Sequence, residues 1–405
     1  MNINQFKSIE RVTPMTTTFN PIFLPQLPVA QPQSRPNAIA SNTQLYAAIE
    51  GMATGNPEHI SPQADAAKFV ADLPGMERHR DRIENIYKNT RIENRHLAYN
   101  FLVEPDSTYN RPIQERMQAY KEYGIPLAEK VAKEAIESAR KYTENIEDSI
   151  RQIVFVSSTG FVGPGIDAEL IERLGLRRDI SRATVNFMGC AAAMNGLHLA
   201  CDRVKANPNH KSLVICLELS SVNAVFDDSI NDVIIHSIFA DGCAAMVVGA
   251  STEAEAIGTG KILIKDRLSY LVENTQDGIT LGIKDNGITC QLSRQLPEYI
   301  KAGIAPVIDG FLAENGLTRS DIDLWAVHPG GTRIIESVQS ALGLSDAQVA
   351  YSWEVLAEYG NMLSTSLLFV IERMMANPNN TGSLNGLAFS FSPGIGVEGI
   401  LFETV

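Results

Sequence analysis

The chain has 405 residues, 44% of them hydrophobic and 20% charged, which is the balance of an ordinary globular protein with room for a large core. Its formal net charge of −13 argues against broad nucleic-acid binding, because a polyanion would be repelled. No apolar run reaches the roughly 18 residues that a membrane span requires. No basic stretch followed by an apolar stretch opens the chain, so we expect a cytoplasmic protein without a signal peptide.

Strand-like and helix-like segments alternate along most of the chain. Residues 1–36 are rich in Thr, Asn, Gln and Pro, and we expect them to form a loosely ordered N-terminal arm. Predicted helices are 78–88, 113–143, 166–174, 190–205, 296–315 and 364–376. Predicted strands are 45–57, 153–156, 213–217, 244–248, 324–327, 386–391 and 398–403.

The apolar strands between helices predict an α/β fold whose sheets are buried on both faces. Two successive sets of strands and helices predict two similar halves packed together. We place these halves at residues 37–265 and 266–405.

A lone thiol stands where an apolar run meets a run of small residues, in Phe187-Met188-Gly189-Cys190-Ala191-Ala192-Ala193. The pattern predicts a strand-to-helix turn, where free N–H groups and the helix dipole favour a thiolate. The alternative is a buried structural thiol, since free cysteine is among the most buried residue types. Cys201, Cys216 and Cys243 fit core packing, and five cysteines without a CxxC pair argue against disulfides and a metal site.

Two downstream turns could complete an acyl-transfer site around Cys190. His328 follows an apolar strand in Val327-His328-Pro329-Gly330-Gly331, and Asn361 follows Gly360 before a helix. Alone, each could be structural, a satisfied turn histidine and a helix N-cap. Together with the thiol they suit decarboxylative condensation: the thiol carries an acyl group, and the His and Asn N–H groups hold an enolate oxygen.

In this order the motifs resemble those of the type III polyketide synthases, the chalcone and stilbene synthase superfamily. The resemblance runs from about residue 47 to the C-terminus and includes Phe239-Ala240-Asp241-Gly242 and Ser390-Phe391-Ser392-Pro393-Gly394. It implies a thiolase-like fold, with the two halves in five αβαβα layers, and a homodimer. It also implies that no metal or organic cofactor is needed, because the substrates are coenzyme A thioesters.

The resemblance assigns roles to individual residues. Cys190 would carry the acyl chain, and His328 and Asn361 would promote decarboxylation and hold the oxyanion. Phe239 matches a phenylalanine between the coenzyme A tunnel and the product cavity. Thr159, Pro393 and Gly394 are also assigned to the substrate cavity, although the late loop has serines where the family usually has glycines.

Three positions depart from the plant members of the family. Cys290 falls where a second gatekeeping phenylalanine is usual, and core packing is its alternative role. Leu363 falls where a serine lines the cavity, and Gly163 replaces a bulky residue that usually crosses the dimer interface. Lost bulk at 163 and 290 should make room for a long chain, as in microbial relatives that produce alkylresorcinols or alkylpyrones.

A basic cluster precedes the core and is the candidate site for coenzyme A phosphates. A solvated helix face is the alternative for each of its members. Lys88, Arg91 and Arg95 rank first, because they lie in the part that resembles the family's coenzyme A contact region. The cluster consists of Arg78, His79, Arg80, Arg82, Lys88, Arg91 and Arg95.

The sequence thus predicts a type III polyketide synthase that extends a fatty acyl starter with malonyl-CoA. The starter would arrive on coenzyme A or on an acyl carrier protein, and cyclisation would give an alkylresorcinol or an alkylpyrone. One alternative is a single-extension enzyme like β-ketoacyl-carrier-protein synthase III. The other is an inactive relative that binds acyl thioesters or a partner protein.

Overall fold

The computed structural model describes residues 44–73, 75–99, 111–224, 230–285 and 287–405. The predicted N-terminal arm, residues 1–36, lies outside the described residues. The strands are β1 Leu45–Gly55, β2 Ile60–Pro62, β3 Asn94–His96, β4 Ile150–Ser157, β5 Ser181–Asn186, β6 Lys211–Leu219, β7 Asp241–Thr252, β8 Ile262–Leu271, β9 Ile279–Lys284, β10 Gly287–Leu292, β11 Leu324–Val327, β12 Leu384–Ser392 and β13 Gly396–Thr404. The helices are α1 Gln63–Ala71, α2 Arg80–Lys88, α3 Ile113–Ala139, α4 Ile146–Ser149, α5 Ile166–Arg173, α6 Ala192–Ala206, α7 Ile230–Ile238, α8 Glu253–Ala256, α9 Leu296–Glu314, α10 Thr332–Leu342, α11 Ala350–Tyr359 and α12 Ser366–Ala376.

The main sheet has the strand order β11-β12-β13-β8-β1-β7-β6-β4-β5. Strands β1 and β4 to β7 form an N-terminal group, and β8 and β11 to β13 form a C-terminal group. The groups join through a short antiparallel pairing in which Ala47, Ala48 and Ile49 of β1 face Ile264, Leu263 and Ile262 of β8. The predicted boundary between residues 265 and 266 falls inside β8, which pairs along most of its length with β13.

Helices α6 and α12 lie between the two groups of strands. Leu197 of α6 and Leu368 of α12 belong to one buried cluster with Val214 of β6 and Ile400 of β13. A second cluster joins α3 and α5 to the other face of the N-terminal group. A third joins α9, α10 and α11 to the C-terminal group. The three clusters therefore lie between five layers. In order, these are outer helices, the N-terminal group of strands, the central helices α6 and α12, the C-terminal group of strands, and outer helices again.

Each predicted strand and helix is present, with ends shifted by a few residues. The long predicted helix 113–143 ends at Ala139, and the predicted helix 78–88 starts at Arg80 after a short 3-10 helix. The sequence pattern did not indicate the hairpin β9–β10, which pairs apart from the main sheet, or helices α1, α7, α10 and α11. Among the described residues, no helix is both long and apolar enough to cross a membrane.

Helix α6, which follows Cys190, packs closely on the sheet at Gly196. A Cβ atom built on Gly196 would lie 2.7 Å from Cγ2 of Val156 and 3.4 Å from Cγ1 of Val214. Valine side chains are stiff, so this contact cannot relax by a change of rotamer. A glycine at this position lets the helix approach the strands that precede the active site.

We expect Gly196→Ala to destabilise the protein, although Gly→Ala inside a helix usually stabilises by about 0.5–1 kcal/mol. Overpacking against valine should lower the free energy of unfolding by about 1–3 kcal/mol, which outweighs that gain. Gly310→Ala in α9 is the matched control, because a Cβ there meets nothing within 4 Å. Thermal unfolding should show a lower midpoint for Gly196→Ala and an equal or higher one for Gly310→Ala; a rise in both would contradict the packing argument.

Candidate active site

Cys190 lies in the turn between β5 and α6, as the sequence predicts. The turn uses left-handed backbone, with φ of 59° at Phe187 and 58° at Gly189. The backbone N–H of Gly189 donates to Oγ of Ser158 at 3.0 Å. Cys190 itself belongs to a short 3-10 helix, Gly189–Ala191, which leads directly into α6.

Asn361 is held against the N-terminal group by backbone hydrogen bonds. Its N–H donates to the carbonyl of Ile238 at 2.9 Å, and its own carbonyl accepts from Ala240 N–H at 2.9 Å. The side-chain Nδ2 lies 3.8 Å from Sγ of Cys190 and donates to the carbonyl of Gly330 at 3.2 Å. Oδ1 accepts from Leu363 N–H at 2.9 Å, which fixes the orientation of the amide.

His328 follows β11 and is almost completely buried, with 1% of its surface exposed. Its backbone N–H donates to Phe389, but neither ring nitrogen has a hydrogen-bond partner among the described residues. A Cβ on Gly330 would lie 3.1 Å from Cδ2 of the ring, so a glycine keeps this side of the imidazole open. A buried imidazole without partners is costly unless a ligand supplies them.

The three predicted catalytic residues line one cavity of about 40 Å³, together with Phe239, Cys290 and Leu363. Cys190 comes from the N-terminal group of elements, and His328 and Asn361 come from the C-terminal group. The structure therefore brings together residues separated by 138 and 33 positions in the sequence. The lining is otherwise mostly apolar, which makes a low-dielectric site.

Burial sets the resting charge of this cavity. It raises the pKa of the Cys190 thiol well above its ordinary range, and the Cys290 thiol adds to the rise, while the hydrogen bond with Asn361 opposes it. Burial alone lowers the pKa of His328 to about 3. Burial thus opposes the thiolate that the sequence predicts at Cys190, and helix α6 itself begins only at Ala192.

A second cavity of about 50 Å³ adjoins the first and shares with it Phe239, Leu281, Cys290 and Leu363. We call it the deep cavity. Thr159, Ser220 and Asn223 also line it. The predicted cavity residues Thr159, Phe239, Cys290 and Leu363 thus meet around one space, and Leu281 of the hairpin β9–β10 is a lining residue that no sequence motif indicated.

An outer cavity of about 670 Å³ shares Leu292, Leu296, Gly330 and Ile334 with the catalytic cavity. We call it the vestibule. Isoleucines dominate its wall, and three arginines reach it: Arg82, Arg294 and Arg333. Within the described part of the chain, these three side chains form no ion pair and no hydrogen bond.

The three predicted coenzyme A contacts do not line the vestibule. Arg95 is 1% exposed and donates to Gln63 Oε1 and to the carbonyls of His236 and Phe239. Its guanidinium therefore stabilises the segment before Phe239 from inside the protein, and the prediction that it contacts coenzyme A is wrong. Arg91 pairs with Glu336 at 3.2 Å and stacks on Trp353. Lys88 is exposed at the end of α2.

Three other predicted cavity residues, Pro393, Gly394 and Gly163, line none of the described cavities. Pro393 packs on the turn at Gly189, and Gly394 N–H donates to the carbonyl of Ile279 at 3.0 Å, so both support the catalytic turn and the hairpin. Gly163 is exposed, before a cis peptide bond to Pro164. Phe391 of the same late loop reaches the catalytic cavity instead.

Glu218 is a buried carboxyl that sequence analysis missed. Its oxygens accept hydrogen bonds from Ser158 N–H at 2.9 Å, from Thr159 Oγ1 at 2.9 Å and from Ser364 Oγ. Burial raises its pKa to about 7, against these hydrogen bonds, which favour the carboxylate. Since Ser158 also binds Gly189, Glu218 anchors both the cysteine turn and the wall of the deep cavity. It lies near the end of the otherwise apolar strand β6, and no sequence motif identifies it.

The described residues contain no cluster of His, Cys, Asp and Glu that could hold a metal ion. Chemically, the site offers a nucleophile, an imidazole and an amide donor in one dry cavity, with an anion-attracting vestibule outside. This set suits transfer of an acyl group between thioesters.

Comparisons with known proteins agree with this geometry. Residues 35–252 match the model of the N-terminal domain of chalcone and stilbene synthases, and residues 265–405 match that of the C-terminal domain. The chain is 46% identical to the alpha-pyrone synthesis polyketide synthase-like Pks18 of Mycobacterium tuberculosis, over 94% of each chain. It is 27% identical to 1,3,6,8-tetrahydroxynaphthalene synthase of Streptomyces peucetius, over 88% of this chain and 92% of that one.

The crystal structure of PKS-I from the brown alga Ectocarpus siliculosus superimposes with a TM-score of 0.85 and 47% identity, over 89% of this chain and 99% of that one. The type III domain of Steely1 from Dictyostelium gives a TM-score of 0.81 at 25% identity, over 89% of this chain and 99% of that one. The predicted thiolase-like α/β fold is therefore confirmed. The chain belongs to the chalcone and stilbene synthase family, and it is a type III polyketide synthase, a condensing acyltransferase.

Proposed function

We propose that this enzyme extends a fatty acyl thioester with malonyl-CoA on Cys190 and closes the product to an alkylpyrone or an alkylresorcinol. The observation that carries the proposal is the meeting of Cys190, His328 and Asn361 at one apolar cavity. The pyrone outcome has additional support, because the relative from Mycobacterium tuberculosis is described by its alpha-pyrone synthesis.

Loading begins with a proton transfer from the Cys190 thiol to the imidazole of His328. Burial disfavours either charge alone, but thiolate and imidazolium together form a neutral pair. The thiolate then attacks the carbonyl carbon of the starter thioester. The carrier thiol leaves with the proton, and the acyl group remains on Cys190 as a thioester.

Extension uses the open donors of the same cavity. A malonyl thioester places its carbonyl oxygen against Nδ2 of Asn361 and an N–H of neutral His328, whose ring nitrogens have no protein partner in the described chain. Loss of CO2 leaves an enolate that these donors stabilise, each by about 3 kcal/mol. The enolate carbon attacks the acyl group, Cys190 leaves as thiolate, and transfer back to Cys190 begins the next round.

The vestibule is the proposed entry for the thioester carrier. Arg82, Arg294 and Arg333 surround it on a chain with net charge −13, so it is a local basic site suited to phosphate groups. They replace Lys88, Arg91 and Arg95 as the proposed coenzyme A contacts. The same vestibule could receive the phosphopantetheine arm of an acyl carrier protein.

The proposed homodimer is supported by one edge of the main sheet. Strand β5 ends the sheet at its N-terminal side, and an unpaired edge readily accepts another chain. Near the turn that follows β5, Phe161 is 57% exposed and contacts Phe187 edge to face. Gly163 lies in the same surface region, as expected for a position facing a second copy.

Product analysis tests the proposed reaction. Incubation of the enzyme with labelled malonyl-CoA and acyl-CoA starters from C4 to C18 should give ring products that contain more than one malonate unit. Mass spectrometry counts those units directly. One unit per product would favour the single-extension alternative, and extended product from Cys190→Ala would contradict the role of the thiol.

Alkylation of Cys190 tests the proton transfer. Iodoacetamide should label Cys190 at pH 7 at least about tenfold faster in wild type than in His328→Gln, because the imidazole of His328 accepts the thiol proton. Cys190→Ala supplies the background from the other cysteines. Coincident pH profiles for wild type and His328→Gln would rule out the proposed pair.

Single substitutions test the arginines of the vestibule. Arg82→Ala, Arg294→Ala and Arg333→Ala should each raise the KM for malonyl-CoA about fivefold, equivalent to roughly 1 kcal/mol for an exposed charge contact. The kcat should stay near that of wild type, because the arginines lie away from Cys190. Lys88→Ala and Arg91→Ala are the controls and should change KM little. A larger rise in KM for these two variants than for the three vestibule variants would contradict the proposed entry and favour Lys88 and Arg91 as the coenzyme A contacts.

A further inference from the structure

The proposed condensation consumes a proton that has to come from solvent. Loading is balanced, because the proton of the Cys190 thiol leaves with the carrier thiol. Extension is not balanced: malonyl-CoA arrives as a carboxylate and loses CO2, and its enolate carbon displaces Cys190 as a thiolate. One proton per malonate unit must therefore enter before the carrier leaves as a free thiol. The cavity at Cys190 is mostly apolar, so polar groups that lead to it from the surface become important.

A row of polar side chains leads away from His328 across the C-terminal group of strands. The N–H of His328 donates to the carbonyl of Phe389, which places the histidine level with Ser390 of β12. Ser390 lies directly opposite Glu398 of β13 in the antiparallel register. Opposite residues have Cβ atoms about 4.5–5.5 Å apart, so one water molecule spans the distance between their polar atoms.

Ser390 and Glu398 both face the central helices. Ala388 and Ile400, each two positions away along its strand, belong to the buried cluster around α6 and α12. Successive strand residues alternate between the two faces of a sheet, so positions 390 and 398 lie on this same face. Cys190 also lies on this side, because its turn leads directly into α6.

Three oxygens along this row have no hydrogen-bond partner among the described residues. They are Oγ of Ser390, Oε2 of Glu398 and Oδ1 of Asn195, a residue of α6. Ser390 is completely buried, and the side chain of Glu398 is 8% exposed. Buried polar groups of this kind usually bind internal water, which forms about three hydrogen bonds per molecule.

The row reaches the surface at His198 of α6, whose side chain is 15% exposed. Nε2 of His198 lies 2.9 Å from the carbonyl of Gly399, and a carbonyl only accepts, so Nε2 carries the hydrogen. Nδ1 is then an acceptor, 3.9 Å from Oε2 of Glu398. Burial lowers the pKa of His198 and raises the pKa of Glu398, although hydrogen bonds from Ser269 and Asn195 oppose the rise. Burial thus favours a neutral imidazole beside a protonated carboxyl.

The other charged groups near His198 form a pair of their own. Arg267 of β8 pairs with Asp202 of α6 at 2.7 Å and donates to the carbonyl of His198 at 3.0 Å. Glu398 instead accepts from the hydroxyl of Ser269 at 3.1 Å. Within the described ranges Glu398 has no ion pair with Arg or Lys, so it gains and loses a proton without breaking one.

We propose that His198, Glu398 and Ser390 form a proton-entry path that supplies His328 with one proton for each condensation. The inference rests on the proposed function. The proton passes from solvent to Nδ1 of His198, then to Oε2 of Glu398, and through Ser390 and bridging water to the imidazole of His328. His328 holds it beside the Cys190 thiolate and gives it to the carrier sulfur when the chain returns to Cys190. The three residues of the path touch no substrate and act only through His328.

The test compares Glu398→Gln and Ser390→Ala with a matched control, Ser392→Ala. Glu398→Gln keeps the size of the side chain but removes its titratable proton. Ser392 lies two positions from Ser390 on the same face of β12, but its hydroxyl donates to the carbonyl of Pro393 at 3.5 Å. Two rates are measured for each protein. One is the acylation of Cys190 by acyl-CoA in a single turnover, and the other is steady-state CO2 release from labelled malonyl-CoA.

Glu398→Gln and Ser390→Ala should acylate within about twofold of the wild-type rate, because loading needs no outside proton. Their kcat for CO2 release should fall at least about tenfold with little change in the KM for malonyl-CoA, since a positioned proton transfer is typically worth roughly 10²–10⁴-fold. The ratio of rates in H2O and D2O should increase for CO2 release and not for acylation. Ser392→Ala should match wild type in both rates. Both test variants should unfold at the wild-type temperature or above it, because each changes an oxygen that has no partner in the described chain.

Wild-type kcat in both test variants would overturn the inference. Equal falls in acylation and CO2 release would also overturn it, because they would indicate a structural role, as would a fall in Ser392→Ala as large as in Ser390→Ala. The proposed function fails on a different result, a wild-type product that contains one malonate unit. Each condensation consumes one proton in that case as well, so the same comparison of variants still decides whether the path exists.

Discussion

Two backbone hydrogen bonds join the halves of the active site, and its chemistry depends on them. Asn361 N–H donates to Ile238 and Asn361 carbonyl accepts from Ala240, so the loop after α11 is fixed to the segment that carries Phe239. This contact sets Nδ2 of Asn361 3.8 Å from the sulfur of Cys190. The proposed nucleophile and the proposed oxyanion donor come from different halves of the chain, so this cavity forms only when both halves are folded and packed together.

The dry cavity explains how an ordinary thiol and imidazole can perform carbon–carbon bond formation. Burial raises the pKa of Cys190 and lowers that of His328, and neither imidazole nitrogen has a hydrogen-bond partner in the described part of the chain. In the proposed reaction, charge appears either as the pair of Cys190 thiolate and His328 imidazolium or as an enolate that accepts hydrogen bonds from Asn361 and His328. The low dielectric of the cavity strengthens both interactions. Glu218 stabilises the surrounding wall through its hydrogen bond from Ser158 N–H, and burial raises the pKa of its carboxyl to about 7.

The sequence predicted the central strands and helices well, because their apolar periodicity follows directly from burial on both faces. It also predicted that Cys190, His328 and Asn361 lie where regular elements end, and the structure places all three at one cavity, as their proposed roles require. It failed where function depends on three-dimensional neighbours. Arg95 looked like a member of an exposed basic cluster, yet β3 turns it inward, and the hairpin carrying Leu281 has no motif of its own. A sequence does not show which buried polar groups lack a hydrogen-bond partner, because that depends on the neighbours that the fold supplies.

In the proposed function, Cys190 carries an acyl chain that grows by one malonate-derived unit at a time. The most direct measurement is peptide mass spectrometry of enzyme quenched during turnover with an acyl-CoA starter and malonyl-CoA. If Cys190 carries the growing chain, the peptide that contains it should show a series of adducts, from the bare starter upward in mass steps of one decarboxylated malonate unit. A starter adduct that never gains a step, or such a series on any other residue, would contradict that role.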